Sequence, residues 1–225
     1  MLVSVSLIPA GQGQASHYSW LGHRSEVPPN SSSLGTFTPT FYRVLDETKW
    51  PNGERTEELL TRDGQLIARV APDFRRQLDI EGSARLRDGR VVNIEERAGA
   101  GMRYLVVRGA PFGVGAPGYR LVPYRTIAVD PRRIKLGTVL YVPALVGIPL
   151  PNGDVHDGFG FAHDTGRGIT GNRIDVFVGF ESDRDNALTR SGRIESQGRI
   201  PLYAVDGTTA RAVNARFAKE FTWHE

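Results

Sequence analysis

The chain of 225 residues is long enough for one domain with an insertion, and its 40% hydrophobic and 24% charged residues are ordinary for a globular protein. The absence of cysteine excludes disulfides, thiolate catalysis and zinc–cysteine sites, and the absence of any run of about 18 apolar residues argues against a membrane span. The net charge of +3 is spread along the chain without a basic helix or a nucleic-acid motif, so nucleic acid is not an expected partner.

The first 34 residues differ in composition from the rest of the chain. Residues 1–8 form a short apolar run without a positively charged segment before it, and residues 9–34 are rich in Gly, Ser, Pro and Asn. These features fit a flexible leader or the remainder of an export signal, and a first strand at the apolar run is a third possibility. The sequence leaves these alternatives open.

From Gly35 onward the sequence predicts short strands separated by turns. Residues 36–45 predict the first strand, in which Pro39 marks an edge or a bulge, and residues 64–71 alternate like another strand. Further strands are predicted at residues 103–108, 124–129, 138–142, 158–163, 173–180 and 200–205.

Two local motifs are predicted between these strands. Pro72 begins a short helix in which Phe74 and Leu78 are spaced to share one face. The pair Asp88-Gly89 lies between two strand-like segments and predicts a β-hairpin with a type I′ turn.

One helix is predicted at the end of the chain. Asp206 or Thr208 can cap its N-terminus, and its apolar stripe comprises Ala210, Val213, Phe217 and Phe221. The stripe predicts packing against the core and no chemistry. Because closely spaced strands dominate the rest of the chain, the predicted fold class is mainly β, as a closed barrel or a sandwich.

Three aspartates lie in the strongest β-forming part of the chain. They are Asp130 in Ala-Val-Asp-Pro, Asp164 in Ala-His-Asp-Thr-Gly and Asp175 in Arg-Ile-Asp-Val-Phe. Aspartate is disfavoured in strands because its short polar side chain competes for backbone hydrogen bonds. A single such residue is most simply a buried carboxylate that binds loop amides, but three within one block indicate an active site.

Asp175 has the sequence environment that acid–base chemistry requires. Alternation predicts that the apolar residues at 174, 176 and 178 share one face, which leaves Asp175 and Phe177 on the other. A carboxyl group on a rigid strand beside an aromatic ring is partly buried, and burial raises its pKa toward neutral pH.

A metal site is the alternative interpretation for a second group of residues, namely His156, Asp157, His163 and Asp164. Imidazole and carboxylate side chains on two nearby segments are potential ligands. Their spacing matches no metal-binding signature, and alternation places His163 and Asp164 on opposite faces of a strand. We therefore expect loop or surface histidines, with no metal ion and no cofactor.

The aspartates belong to a longer pattern across residues 125–179. It contains Arg125-Thr-Ile-Ala-Val-Asp-Pro, then Phe161-Ala-His-Asp-Thr-Gly, then Asn172-Arg-Ile-Asp-Val-Phe-Val-Gly. This pattern resembles the 3D domain, named for its three aspartates, and the family of MltA-like lytic transglycosylases. The resemblance implies a six-stranded double-ψ β-barrel that cleaves the bond between MurNAc and GlcNAc in peptidoglycan. In that family the 6-hydroxyl of MurNAc attacks its own anomeric carbon, which releases a 1,6-anhydro product without water.

Two further segments resemble the same family. Residues 79–90 are similar to the Gln-Gly-Ser-Gly…Asp-Gly hairpin that lines its glycan groove, with Glu81 in place of the Gln and Ala84 in place of the second Gly. Residues 36–42 resemble its first barrel strand, whose Thr and Tyr side chains face the groove. The resemblance covers residues 35–180.

The resemblance also implies roles for individual residues. Asp175 matches the catalytic acid and base, and Asp164 and Asp130 would support it by hydrogen bonds and by stabilising an oxocarbenium-like transition state. The residues implied in substrate binding are Thr36, Thr38, Tyr42, Glu81, Gly82, Ser83, Arg85, Thr165, Gly166 and Arg167.

The resemblance and the residue patterns together predict a mainly β protein: a six-stranded double-ψ β-barrel with an inserted β-rich lobe and a C-terminal helix. The expected division is a leader at 1–34, a barrel at 35–183 with an insertion at about 54–118, and a strand and helix at 184–225 that pack on the barrel. The expected function is that of a lytic transglycosylase, acting as a monomer on peptidoglycan glycan strands in the bacterial cell envelope, in the periplasm or cell wall. The alternatives are a β-1,4-glycan hydrolase on the same fold and a non-catalytic, expansin-like wall-binding module.

Overall fold

The computed structural model describes residues 26–51, 53–98, 101–116 and 118–222. The apolar run at residues 1–8, for which an export signal and a first strand were left open, lies outside these ranges. Within them the chain forms twelve β-strands and three α-helices. Their bounds are β1 (Ser31–Tyr42), β2 (Leu45–Asp46), β3 (Glu57–Leu60), β4 (Leu66–Val70), α1 (Pro72–Glu81), β5 (Ser83–Arg85), β6 (Val91–Ala98), β7 (Gly101–Val107), β8 (Thr126–Val129), β9 (Val139–Tyr141), β10 (Phe159–Asp164), β11 (Arg173–Phe177), α2 (Ala187–Arg190), β12 (Ile200–Val205) and α3 (Gly207–Phe221).

Six of the strands close into a barrel in the order β1-β11-β8-β10-β9-β12, and β12 pairs back to β1. β1 with β11 and β8 with β10 pair in parallel, and the other four pairs are antiparallel. Parallel neighbours require crossover connections, which a simple meander lacks. The barrel interior includes Phe37, Ile127, Leu140, Ile174 and Val176, all buried. The predicted mainly β fold with a six-stranded barrel is confirmed.

The lobe inserted between β1 and β8 forms two further sheets. Strands β2, β5, β6 and β7 make one, and the β3–β4 hairpin makes the other. Helix α1 buries Phe74 and Leu78 in a core that belongs to the lobe itself, so the predicted helix face is confirmed. The lobe's sheet also takes in β2 at residues 45–46, before the predicted start of the insertion, because β2 pairs with β5.

The hairpin predicted at Asp88-Gly89 joins β5 to β6, but the predicted type I′ turn is wrong. Leu86 N–H donates to Arg90 C=O at 2.8 Å, and Gly89 N–H donates to Leu86 C=O at 2.9 Å. Among the turn residues only Gly89 has a positive φ, of 86°. A type I′ turn needs two residues with positive φ, whereas a three-residue loop with a glycine bulge needs one. With the glycine bulge, Asp88 therefore does not need to adopt the left-handed conformation.

β1 begins at Ser31, so the predicted boundary between leader and barrel lies inside a strand. Residues 31–33 pair with residues 203–205 of β12, and the register shifts between Ser33 and Gly35. Serine has little β propensity of its own, and the backbone hydrogen bonds offered by β12 extend the strand past the predicted boundary.

Helix α3 confirms the predicted C-terminal helix and its apolar stripe, which packs against β9 and β10 on the outside of the barrel. Asp206 stands at its N-cap, but its side chain makes no capping hydrogen bond. The short helix α2 was not predicted. It begins with a capping box in which Asn186 and Thr189 exchange hydrogen bonds, and its four residues are too few to show a helical period.

Candidate active site

Strand β11 presents Asp175 on the outer face of the barrel. Its neighbours Ile174 and Val176 are buried in the barrel core, so alternation directs Asp175 outward, as predicted. Asp175 pairs with Thr40 of β1 on one side and with Ala128 of β8 on the other. Two β-strands therefore hold its backbone.

Asp164 lies at the end of β10 and pairs with the same Ala128 from the opposite side. The register shifts between Ala162 and Asp164, which makes His163 the extra residue of a bulge. Ala162 lies in the barrel core, so strict alternation would turn Asp164 inward, and the bulge reverses this. Adjacent strands lie about 4.8 Å apart, and Ala128 stands between the two aspartates. The Cα atoms of Asp164 and Asp175 are therefore about 10 Å apart, with the methyl group of Ala128 between them.

The carboxyl group of Asp164 is held by two donors. Tyr42 O–H donates to Oδ2 at 2.7 Å, and Thr165 N–H donates to Oδ1 at 2.8 Å. Burial raises the pKa of Asp164 to about 6, although both hydrogen bonds lower it. Burial, followed by the charge of Asp164, holds the pKa of Tyr42 well above its ordinary value, so Tyr42 remains a donor.

The carboxyl group of Asp175 has fewer hydrogen-bond partners than that of Asp164. Its Oδ1 atom is buried and has no hydrogen-bond partner among the described residues. Burial raises the pKa of Asp175 to about 7, the neighbouring Thr40 lowers it, and the charges of Glu81 and Asp164 raise it. A carboxyl group with a pKa near neutral can both give and take a proton at working pH.

Asp130 is held in a different way from the other two aspartates. Its carboxylate accepts from Arg132 Nη2 at 2.9 Å and Nε at 3.0 Å, and from the backbone N–H of Arg132 and Gly171 at 3.0 and 2.8 Å. The hydrogen bonds from Arg132 and Gly171 hold its pKa well below the ordinary range. The structure thus brings Asp164 and Asp175 together, while Asp130 anchors the loop between β10 and β11.

The polar residues of β1 form one row on its outer face. Thr36, Thr38, Thr40 and Tyr42 are partly exposed, because the alternate positions enter the barrel core. Three of the four were predicted as site residues, and Thr40 was missed. The same alternation contains Thr40, and its pairing with Asp175 makes it the member of the row nearest to the candidate acid.

Glu81 is a residue of the lobe whose charge acts on Asp175. It ends helix α1, and its side chain is 10% exposed. Its Oε2 atom accepts Arg43 N–H at 3.2 Å and its Oε1 atom accepts Arg43 Nε at 3.4 Å. The next residue, Gly82, has φ of +89° and closes the helix with a bond from its N–H to Leu78 C=O. A residue with a side chain would be strained at Gly82, so the backbone conformation at the end of the helix requires glycine here.

Ser83 and Arg85 form no hydrogen bond or ion pair with Asp164 or Asp175 among the described residues. Ser83 is buried, and its Oγ atom has no hydrogen-bond partner among the described residues. Arg85 forms an ion pair with Asp46 at 2.6 Å, and its guanidinium lies 4.3 Å from the centre of the Phe180 ring. These contacts occupy Arg85 within the lobe and at its border with the barrel.

Thr165, Gly166 and Arg167 are exposed in the loop between β10 and β11. A Cβ atom on Gly166 would come within 2.9 Å of Ile169 Cγ1, which explains the glycine. Arg167 forms no ion pair within the described part of the chain. Of the three, only Thr165 contacts an aspartate of the site.

Gly115 lets a neighbouring segment approach Asp164, which the sequence did not indicate. A Cβ atom there would lie 2.6 Å from His163 O and 3.0 Å from Asp164 Cγ. Asn93 of β6 holds this segment, because its side-chain amide donates to Val114 C=O at 2.7 Å and accepts from Val114 N–H at 3.1 Å. The segment at Gly115, held by the lobe, thereby packs against Asp164.

The two histidines considered as ligands are held within the fold. His156 is buried, with Nε2 at 2.8 Å from Tyr124 O and Nδ1 accepting from Gly158 N–H at 2.9 Å. His163 is also buried, and its ring stacks on Tyr119 at 3.6 Å. His156 lies in a loop, as expected, but neither histidine is at the surface, and His163 lies in β10. In the described ranges, no three His, Asp or Glu side chains are grouped so that they could hold a metal ion.

The family model of the 3D domain matches residues 125–203, which contain all three aspartates. No curated protein matches the sequence. None of the helices described here is long and apolar enough to cross a membrane.

Solved structures share the fold. Escherichia coli MltA with bound chitohexaose is 15% identical, over 76% of this chain and 71% of its own, with a TM-score of 0.51. A membrane-bound lytic murein transglycosylase from Agrobacterium tumefaciens is 14% identical, over 88% and 84%, with a TM-score of 0.53. At these identities the likeness concerns the fold alone. Residues 125–203 of the chain therefore match the 3D domain, and the chain has the MltA-like fold.

Proposed function

We propose that this protein is a lytic transglycosylase that cleaves the β-1,4 bond between MurNAc and GlcNAc in peptidoglycan and forms 1,6-anhydroMurNAc. The observation that carries the proposal is the position and pKa of the Asp175 carboxyl group. This group lies on a rigid strand of an MltA-like fold, and its pKa is about 7. This carboxyl group is partly buried and lacks a partner at Oδ1, so it can serve a substrate oxygen.

The chemistry requires one acid that works twice. Protonated Asp175 gives its proton to the glycosidic oxygen as the bond to the anomeric carbon breaks, and GlcNAc leaves as an alcohol. The 6-hydroxyl of the same MurNAc then attacks that carbon, and the carboxylate of Asp175 takes the hydroxyl proton. Atoms balance without water, because the nucleophile belongs to the substrate.

Asp164 supplies a negative charge that stabilises the transition state in this scheme. Its carboxylate, held by Tyr42 and Thr165, would face the positive charge that develops on the sugar ring. The row of hydroxyl groups on β1 would bind the glycan strand. The Escherichia coli protein binds chitohexaose in the same fold, which supports a glycan as the substrate.

Purified peptidoglycan sacculi provide the test. We expect the protein to release soluble muropeptides from them, as an enzyme of the bacterial cell envelope. Protein that is retained on the sacculi without releasing muropeptides would contradict the proposal and indicate the wall-binding alternative.

Replacement of Asp164 by asparagine is expected to move the alkaline limb of the rate profile to lower pH. The wild-type rate should fall as pH rises through the Asp175 pKa of about 7, because only the protonated form is an acid. Asp164 is ionised above its pKa of about 6, and its charge helps to keep the proton on Asp175. The measurement is the rate of sacculus lysis against pH. An unmoved limb with a lower rate would show that Asp164 acts only on the substrate.

A further inference from the structure

The lobe places one nearly buried carboxylate against the end of β1. The Glu81 side chain is 10% exposed and is held by three donors: Arg43 N–H, Arg43 Nε and Gln77 Nε2, the last at 3.2 Å. A carboxylate held in this way cannot rotate into solvent without losing these bonds. Its negative charge therefore has a defined position relative to the barrel.

That position adjoins the two aspartates. Arg43, which binds Glu81, directly follows Tyr42, and Tyr42 donates to Asp164. Thr40, two residues earlier on the same outer face, pairs with Asp175. Burial raises the pKa of Tyr42, and the charges of Asp164, Asp175 and Glu81 raise it further.

We propose that Glu81 is a positioning residue, a negative charge from the inserted lobe that keeps the proton on Asp175 at the pH where the enzyme works. This inference rests on the proposed function. It assigns to the lobe an electrostatic part in the reaction besides covering the glycan. In this role Glu81 exchanges no proton with the substrate and acts through Asp175.

The charges around Asp175 come from its own strand, from β10 and from the lobe. Arg173 on its own strand favours the ionised form, whereas Glu81 from the lobe and Asp164 from β10 favour the protonated form. β1 offers the neutral phenol of Tyr42, β8 offers Ala128, and the cation of Arg43 just past the end of β1 is paired with Glu81. Arg173 is exposed and screened by water and salt, whereas Glu81 is nearly buried, so the lobe's charge is screened less.

The test is the replacement Glu81→Gln, with Asp73→Asn as the matched control. Asp73 lies in the first turn of the same helix, and its side chain is 74% exposed. Both changes remove one negative charge from α1, but only Glu81 lies beside the aspartates. The titration of the Asp175 carboxyl carbon is followed by NMR, and the rate of sacculus lysis is followed against pH.

We expect Glu81→Gln to lower the titration midpoint of Asp175 by about 0.3 pH unit or more, and the alkaline limb of the rate with it. Asp73→Asn should leave both unchanged. Glu81→Asp keeps the charge and should restore most of the wild-type midpoint. If Glu81→Gln and Asp73→Asn titrate like wild type, the inference is wrong.

The NMR titration separates this inference from the proposed function. It needs folded protein but no turnover, so a shifted midpoint supports the role of Glu81 even if sacculi yield no product. If Glu81→Gln fails to fold, Glu81→Ala removes the same charge in its place. A lowered Asp175 midpoint in that variant supports the inference, whereas a wild-type midpoint overturns it.

Discussion

Replacement of Asp175 by asparagine is expected to remove turnover while the fold remains intact. The amide has nearly the same shape as the carboxyl group but cannot transfer a proton, and general acid–base help contributes about 10²- to 10⁴-fold in rate. The rate of muropeptide release from sacculi is the measurement, and Asp73→Asn is the control for loss of one negative charge. Wild-type lysis by the Asp175→Asn variant would remove Asp175 from its role.

The same variant should be as stable as wild type, or more stable, above neutral pH. The folded-state pKa of Asp175 is about 7, above its ordinary 3.8, so its contribution to stability is full below pH 3.8 and is lost as pH rises through 7. Asparagine carries no charge to bury and avoids this loss. Urea unfolding at about pH 8 measures it. A variant markedly less stable there would mean that the carboxylate stabilises the site.

Among the variants considered, replacement of Phe177 by alanine is expected to give the largest loss of stability, about 3–5 kcal/mol in the free energy of unfolding. Phe177 is fully buried, and its ring lies 5.2 Å from that of Tyr42 and 5.9 Å from that of Phe112. The alanine variant leaves a cavity between the barrel and the segment that covers Asp164. Because Tyr42 orients Asp164, the rate of lysis should fall as well.

Phe177→Leu is the matched control, because it keeps most of the apolar volume and should lose far less stability. Urea unfolding compares the two variants with wild type. Equal stability of Phe177→Ala and wild type would show that the ring does not support this part of the molecule.

The barrel could be predicted from the sequence because its strands carry their own signals. Ile174 and Val176 alternate with Asp175 and Phe177, and this period fixes which side chains enter the core. The partial burial of Asp175 follows from the same period. The direction of its pKa shift was therefore predictable from local sequence, before any tertiary contact was known.

The arrangement of Asp164 and Asp130 could not be predicted in this way. The bulge at His163 depends on the register between β10 and β8, which alternation within one strand does not contain. Asp130 directly follows β8, much as Asp164 ends β10, but its partner Gly171 lies 41 residues away along the chain. The contact of Glu81 with Arg43 likewise joins two residues that lie 38 positions apart along the chain.

The oxygen isotope content of the products tests the central claim most directly. Sacculi are digested in water enriched in oxygen-18, and the released muropeptides are analysed by mass spectrometry. If the 6-hydroxyl of MurNAc is the nucleophile, the products are 1,6-anhydro sugars that carry no oxygen-18. Reducing-end muropeptides labelled with oxygen-18 would instead show that water attacks the anomeric carbon, and the protein would be a hydrolase.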